Sequence, residues 1–188
     1  LRKKGVLKAA KKSTRDAAEG LIILGENQDC LTLTEINSET DFVAKNNEFL
    51  NFCSKISEYS TKAKNLDDLN NMLIDGVTIK DLLVSLVSKI GENIKLRRFK
   101  KILKEDSNLS FYIHNKADNN TGKIISAIKY KSKINESSQL ANSICMHIAA
   151  MSPMALNENK LDADFINKEK KIIEEQIEKN GKKTEILE

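Results

Sequence analysis

The sequence predicts an α+β fold with two related halves, each an antiparallel β-hairpin or small sheet packed with helices. Two pairs of short apolar runs, each pair separated by a polar turn, predict two hairpins. Apolar residues at helical spacing follow each pair and predict helices. The 188 residues, 40% of them hydrophobic, are enough for one compact domain or two small ones. The repetition is one of architecture, because no residue-level similarity between the halves accompanies it.

The first hairpin is predicted from apolar runs at 21–24 and 31–36, with a polar turn at 25–29 between them. In the second run leucine and threonine alternate. This alternation places the leucines on one face of the strand and the threonines on the other. A strand with two chemically different faces is therefore expected.

Two helix starts are predicted directly after this hairpin. Thr40 and Asp41 are expected to cap a short helical turn, and Asn46 is expected to cap a longer helix. The apolar positions of the longer helix recur at helical spacing, which predicts one buried face. That face consists of Phe49, Cys53, Ile56 and Ser60.

The clearest helical pattern runs over residues 79–90, where apolar residues form an unbroken stripe. Thr78 and Asp81 resemble a capping box at its start, and Gly91 is expected to cap its end. Residues 94–104 alternate imperfectly, so a strand with a β-bulge is predicted there.

The second half repeats this plan. Strands are predicted at 109–114 and 123–129, joined by a polar turn at 118–122. A helix is expected from Ser137, ended by a proline, and a final charged helix at 162–180. The predicted buried face of the first of these helices comprises Leu140, Ala141, Ile144, Cys145 and Ile148. The final helix is expected to end at Gly181 and to carry Phe165, Ile166, Ile172, Ile173 and Ile177.

Composition excludes several classes of protein. The 31 Lys and Arg exceed the 27 Asp and Glu by only four charges, too few for a dedicated nucleic-acid binder. No apolar run has the length of a membrane span, so neither a transmembrane helix nor a secretory signal is predicted. Cys30, Cys53 and Cys145 lack any Cys-x-x-Cys spacing and are expected to be buried thiols in a reducing compartment. With only His114 and His147 beside them, no metal site or cofactor is predicted.

Catalytic motifs are missing from the sequence. It contains no Gly-x-Gly-x-x-Gly, no phosphate-binding loop, no nucleophile elbow and no His-Glu-x-x-His. Acidic pairs such as Glu174 and Glu175 lie on a lysine-rich helical face, where a solvated role is expected. The residues therefore favour a binding module over an enzyme.

The segment 40–44 lies where a strand passes into a helix, and such junctions often carry function. An exposed phenylalanine here would forgo on the order of 1.5–3 kcal/mol of burial unless a partner covers it. The alternative is that Phe42 and Val43 fasten the turn to the protein's own core, and the residues alone favour this alternative. The basic segment 1–15 is interpreted as a solvated terminus.

Residues 37–46, Asn-Ser-Glu-Thr-Asp-Phe-Val-Ala-Lys-Asn, resemble the signature of elongation factor Ts, the nucleotide exchange factor for elongation factor Tu. Four further stretches resemble blocks of the same family, in the same order, at 1–12, 89–98, 111–125 and 141–153. Because the blocks follow family order over essentially the whole chain, the match is more specific than any single motif.

The resemblance implies three parts. Residues 1–15 would be a basic remnant of an N-terminal helical domain with its linker. Residues 16–105 would form the core N-terminal subdomain, and 106–188 the core C-terminal subdomain, ending in a charged helix. The chain is thus interpreted as the central part of the factor, trimmed at both ends. Ser38 stands where the family commonly has Cys, and Asn115 where it has Gly.

The resemblance also implies a function without covalent chemistry. Such a factor binds elongation factor Tu in its GDP-bound and nucleotide-free forms and promotes GDP release, in a bacterial cytoplasm or an organelle matrix. No cofactor, membrane or direct nucleic-acid contact is expected, and the oligomeric state is left open. The segment implied to disturb the magnesium and phosphate site is Thr40, Asp41, Phe42 and Val43. Weaker partner contacts are implied for His114, Lys11 and Lys12.

Two alternatives come from other classes of protein. A basic RNA- or ribosome-binding protein is favoured by the basic start and by the lysines and arginines of residues 95–104. Against it, aromatic residues are only 5% and are not interleaved with basic ones, as stacking surfaces require. An enzyme of unknown type would need a pocket with converging polar groups, for which the sequence gives no pattern.

Overall fold

The computed structural model describes residues 7, 9–134 and 136–179. The chain divides into two compact units, Leu1–Ala150 and Met151–Glu188. The first unit holds all the strands of the described residues, and the second holds the last helix. The mixed α+β class is therefore confirmed, whereas the three-part division of the chain stays a prediction.

Five strands form one antiparallel sheet and two short strands form a small ribbon. The strands are β1 (Glu19–Glu26), β2 (Cys30–Ser38), β3 (Leu73–Ile74), β4 (Val77–Thr78), β5 (Lys95–Leu103), β6 (Asn108–Lys116) and β7 (Thr121–Tyr130). The order in the large sheet is β5-β2-β1-β7-β6, and β3 pairs with β4. Both predicted hairpins are present, as β1–β2 and β6–β7.

The two hairpins join where β1 meets β7, a contact of only two residue pairs. The predicted bulge is also present. The β2–β5 register pairs Glu35 with Arg98 and Ile36 with Leu96, so Arg97 is the extra residue on β5. The first hairpin and β5 thus form a continuous three-stranded layer, to which the second hairpin is attached at one corner.

The helices are α1 (Asn47–Ser60), α2 (Leu66–Asn71), α3 (Ile79–Ile90), α4 (Ser137–Met151) and α5 (Ala163–Lys179), with 3₁₀ turns at Asp41–Lys45 and Glu158–Lys160. They lie where the sequence predicts them, with one short addition, α2. Asn46 Oδ1 accepts the backbone N–H of Glu48 at 2.9 Å and caps α1. Thr78 caps α3, because its Oγ1 accepts the Asp81 N–H at 3.1 Å and donates to Asp81 Oδ2 at 2.9 Å. The predicted end of α5 at Gly181 lies outside the described residues.

The larger hydrophobic core lies between α1, α3 and one face of the first hairpin. The predicted buried face of α1 is fully buried there. The threonine face of β2 also lies on this side, and Thr32 Oγ1 is 2.6 Å from Ser60 Oγ. Gly25 permits this close approach, since a Cβ there would be 2.2 Å from Ser60 Oγ. Val43 and Ala44, in the 3₁₀ turn that precedes α1, belong to the same core.

A smaller core lies between the two hairpins. Leu24 and Leu31 from the first hairpin pack with Ile113 and Ile125 from the second. The leucine face of β2 is therefore covered by the second hairpin, and its threonine face by α1. Both faces of the strand are therefore largely buried.

The predicted buried face of α4 is wrong in part. Leu140 is 64% exposed and Ile144 is also exposed, whereas Ala141, Cys145 and Ala149 are buried. The buried positions recur every four residues and carry small side chains, which bring the helix close to β7. At this contact Ser126 Oγ donates to the Cys145 carbonyl at 2.6 Å. Leu140 and Ile144 instead border an apolar groove beside Ile128 of β7.

Candidate functional site

The segment between β2 and α1 exposes an aromatic side chain on a turn with a buried inner side. We call residues 40–45 the aromatic turn. Within its 3₁₀ helix, Val43 is 3% exposed and Ala44 is buried, both as part of the larger core. Phe42 is 75% exposed, and Asp41 beside it is exposed as well. The turn therefore has an anchored side and a side that faces solvent.

Of the two residues expected to fasten the turn to the core, only one does so. Val43 is buried, and its carbonyl accepts the Asn46 N–H at 2.9 Å, which ends the turn. The ring of Phe42 lies in water and forgoes on the order of 1.5–3 kcal/mol of burial. Against the residues that the structure describes, Phe42 therefore contributes little packing.

The predicted capping role of Thr40 is wrong. Its side chain makes no capping hydrogen bond to the 3₁₀ turn. Instead Thr40 Oγ1 donates to Glu92 Oε1 at 2.7 Å, and its backbone N–H donates to Glu92 Oε2 at 2.9 Å. The Thr40 carbonyl accepts from Ser38 Oγ at 2.9 Å. A hydroxyl donates a stronger hydrogen bond to a carboxylate than to a neutral acceptor, and this contact directs the Thr40 side chain toward Glu92.

Glu92 belongs to a short junction between α3 and β5 that contacts two other stretches of chain. Asn93 N–H donates to Glu39 Oε1 at 2.5 Å, and Asn93 Nδ2 donates to the Arg15 carbonyl at 2.6 Å. Arg15 also lies 3.5 Å from the Glu39 carboxylate. The junction is thereby bound both to the end of β2 and to the residues that precede β1.

The two lysines of the predicted weaker contacts differ in environment. Lys12 Nζ donates to the carbonyl of Gly91, the C-terminal cap of α3, so Lys12 takes part in the same junction. Lys11 is exposed. The structure thus brings Lys12, but not Lys11, into the contacts that hold the aromatic turn.

His114 lies on β6, an edge strand of the sheet in the second hairpin. It is exposed, and its Nδ1 is 3.3 Å from the Tyr112 hydroxyl. In the β6–β7 register it stands opposite Ile124, which is also exposed. His114 therefore belongs to a different surface from the aromatic turn.

Sequence reasoning assigned no role to Glu92 and Asn93. The signal was present, because residues 89–98 formed one of the recognised blocks. A Glu-Asn pair directly after a helix cap and before a strand has few local partners. Such a pair is therefore a candidate for long-range hydrogen bonds to another loop.

The described residues contain no group of three or more His, Cys, Asp or Glu side chains that could hold a metal ion. All three cysteines are buried and free of disulfides. Burial raises the pKa of each of their thiols, which makes them poor nucleophiles. Among the described helices none has the length and hydropathy that a membrane crossing requires.

Fold and site together define an α+β protein that presents one aromatic side chain on an anchored turn, a feature typical of protein-binding surfaces. A sequence model of the family described as Elongation factor TS matches residues 39–188. The chain belongs to the elongation factor Ts family, which is a family of translation elongation factors.

Individual relatives agree with the family match along the whole chain. The chain is 39% identical over 194 residues to elongation factor Ts of a Nitratiruptor species, and 38% identical over 192 residues to that of Legionella pneumophila (strain Lens). It is 37% identical over 195 residues to that of Spiroplasma citri. Each alignment covers 100% of this chain but only 63%, 62% and 64% of the respective relative. The chain therefore spans less than two thirds of these relatives.

Proposed function

We propose that this chain acts as a guanine nucleotide exchange factor in translation elongation, in the bacterial cytoplasm. It binds elongation factor Tu carrying GDP and promotes release of the GDP without making or breaking a covalent bond. The observation that carries the proposal is the exposed Phe42 on an anchored turn, inside the stretch that resembles the family signature. A large aromatic side chain held out from a fixed backbone is what an interface hot spot requires.

In the proposed mechanism, Phe42 enters the GTPase domain of elongation factor Tu beside the magnesium and phosphate site. Asp41 makes a polar contact, while Thr40 and Val43 frame the ring. Magnesium bridges phosphate oxygens to protein ligands, so a small displacement of a ligand weakens the hold on GDP. The second hairpin with His114 contacts another domain of the partner, and Lys11 adds a weak surface contact.

Exchange by binding requires a preference for one state of the partner. The factor must bind nucleotide-free elongation factor Tu more tightly than the GDP-bound form. We call the ratio of these two affinities the coupling ratio. By thermodynamic reciprocity, the factor weakens the binding of GDP by the same ratio. The coupling ratio therefore measures how strongly the aromatic turn promotes GDP release.

The test is release of fluorescent GDP from elongation factor Tu in the presence of magnesium. We expect the wild-type chain to accelerate release. Phe42→Ala should reduce that acceleration about 30-fold, which corresponds to roughly 2 kcal/mol at an interface hot spot. Leu73→Ala is the matched control, because Leu73 is 61% exposed on β3, outside the aromatic turn. The control variant should accelerate GDP release from elongation factor Tu as much as the wild type does.

The outcomes separate the ways in which the proposal can fail. If wild type and Phe42→Ala accelerate release equally, the exchange activity does not depend on the turn. If the wild type binds nucleotide-free elongation factor Tu without releasing GDP, this stretch of the factor is insufficient for exchange. If it binds neither form, the proposed function is wrong.

The RNA-binding alternative gains no support from the basic strand β5. Arg97 and Arg98 both pair with the carboxylate of Glu35. Lys101 Nζ donates to the carbonyl of Thr61 at 2.7 Å. Three of the cations that favoured this alternative are thus engaged within the chain, and we do not propose it. RNA binding that weakens steeply with salt would revive it.

A further inference from the structure

Glu92 contacts the aromatic turn although it is 52 residues away along the chain. Both of its carboxylate oxygens accept from Thr40, one from the hydroxyl and one from the backbone N–H. We infer that Glu92 is a positioning residue for Phe42: its carboxylate fixes the upstream end of the turn, so that the ring is already oriented for the partner before binding. The inference rests on the proposed function and names the residue that holds the turn in its binding conformation.

The two ends of the turn are held by different forces. Downstream of Phe42, Val43 is buried in the larger core and Asn46 caps α1. Upstream, the first residue of the turn is held through polar contacts of Thr40, to Glu92 and from Ser38 Oγ, while Glu39 before it accepts from Asn93. A five-residue 3₁₀ helix has little stability of its own. Loss of the Glu92 carboxylate therefore loosens the end that packing does not hold.

Glu92 differs from its neighbour in the junction in what its side chain serves. The Asn93 side chain donates to the carbonyl of Arg15 and thus binds the junction to the stretch before β1. The Glu92 carboxylate instead accepts both of its hydrogen bonds within the described residues from Thr40. Removal of the Glu92 carboxylate should therefore affect the turn more than the fold.

A freed turn changes the two affinities of the factor unequally. Without the Glu92 carboxylate, the free turn adopts additional conformations. These must be given up when Phe42 is seated on the partner, and the lost conformational entropy weakens binding in that state. In the proposed mechanism the ring is seated in the nucleotide-free complex and much less so in the GDP-bound one. The coupling ratio should therefore fall, whereas a residue that only stabilises the fold would change both affinities by the same factor.

The first experiment needs no partner and measures amide hydrogen exchange of residues 38–46 by NMR. In Glu92→Ala the protection of the Thr40 amide should fall about tenfold, because its acceptor is gone. Glu92→Gln should retain protection, since its amide can accept from the N–H and donate to the hydroxyl. Glu19→Ala, which removes a surface pair with Lys123, is the control and should leave the turn unchanged. Unchanged protection in Glu92→Ala overturns the inference.

The second experiment measures dissociation constants for GDP-bound and nucleotide-free elongation factor Tu. We expect Glu92→Ala to lower the coupling ratio about fivefold to tenfold and Glu92→Gln to restore it to within about twofold of the wild type. Equal changes in both dissociation constants contradict a positioning role.

Two further arms keep the result interpretable. Thermal unfolding is recorded for each variant, and Glu92→Asp replaces Glu92→Ala if the latter does not fold, because its shorter side chain keeps the charge but not the reach. An unchanged coupling ratio in Glu92→Asp with lost Thr40 protection would overturn the inference. If the wild type itself shows no preference for nucleotide-free elongation factor Tu, the proposed function fails, and the amide exchange result alone decides whether Glu92 positions the turn.

Discussion

The aromatic turn and the outer face of α4 both expose large apolar side chains, but only the turn has a framework around them. Phe42 stands between Thr40, which is bound to Glu92, and Val43, which is buried in the larger core. Leu140 and Ile144 are exposed because smaller residues occupy the buried face of α4. Exposure alone therefore does not identify a site. Exposure on a backbone that other residues hold in place is the stronger indicator.

The largest expected effect separates the aromatic turn from the core beside it. Phe49 lies at the start of α1 and is fully buried. Phe49→Ala should lower the free energy of unfolding by about 3–5 kcal/mol, the usual loss for a core phenylalanine. Phe42→Ala should change it by less than about 0.5 kcal/mol, as for an exposed position. Urea unfolding monitored by circular dichroism measures both.

These two variants test whether the aromatic turn differs from the core beside it. A loss of several kcal/mol in Phe42→Ala would mean that the ring packs within the chain, and the proposed role of the turn in exchange would lose its basis. A small loss in Phe49→Ala would mean that the larger core tolerates a cavity at the point that anchors the turn.

A smaller effect is expected on α4, where the sequence-based prediction of the buried face was wrong in part. Ala141 is buried against the second hairpin, so Ala141→Leu should overpack the contact and lower the free energy of unfolding by about 1–3 kcal/mol. Leu140→Ala on the exposed side should change it by less than about 0.5 kcal/mol. Thermal unfolding of the two variants measures this difference. The reverse order of effects would restore the predicted apolar face.

Whether a feature of this molecule could be predicted from its sequence depends on how far apart along the chain the interacting residues lie. Helix α3 was predicted to its end residues, because its stripe and both caps are local to the segment. The face of α4 was not, since large and small apolar residues share it and only the distance to β7 decides which are buried. At the aromatic turn the sequence located the segment, but burial there depends on a core assembled from distant elements.

The role of Thr40 shows the same limit. A threonine before a helical turn predicts a cap, and here a carboxylate 52 residues away accepts its hydroxyl instead. No local pattern contains that contact. The recognised block at residues 89–98 marked the right stretch of sequence, but only the fold brings Glu92 to Thr40. The resemblance located the candidate residues in the sequence, and only the fold shows how they are arranged with respect to one another.

The smallest expected effect concerns a second carboxylate with two donors, Glu35, which accepts from Arg97 and Arg98 at the β-bulge. Partial burial alone would raise the pKa of Glu35, but the hydrogen bonds from Arg98, Arg97 and Asn37 outweigh it and hold the pKa below its ordinary value. A carboxyl group with a lowered pKa in the folded state stabilises the fold at pH above its unfolded value of about 4.3. That contribution is lost as the pH falls through the lower, folded value.

Glu35→Gln should therefore lower the free energy of unfolding near neutral pH by less than about 1 kcal/mol, because both arginines are largely exposed. The difference from the wild type should shrink in acid, where the wild-type carboxyl is protonated as well. The coupling ratio should stay at the wild-type value, since Glu35 lies on the sheet and its contacts do not include the turn. Urea unfolding between neutral and acid pH, with the two dissociation constants, measures both. A fall in the coupling ratio as large as that of Glu92→Ala would mean that any paired carboxylate of this layer influences exchange, and that the contact with Thr40 is not what distinguishes Glu92.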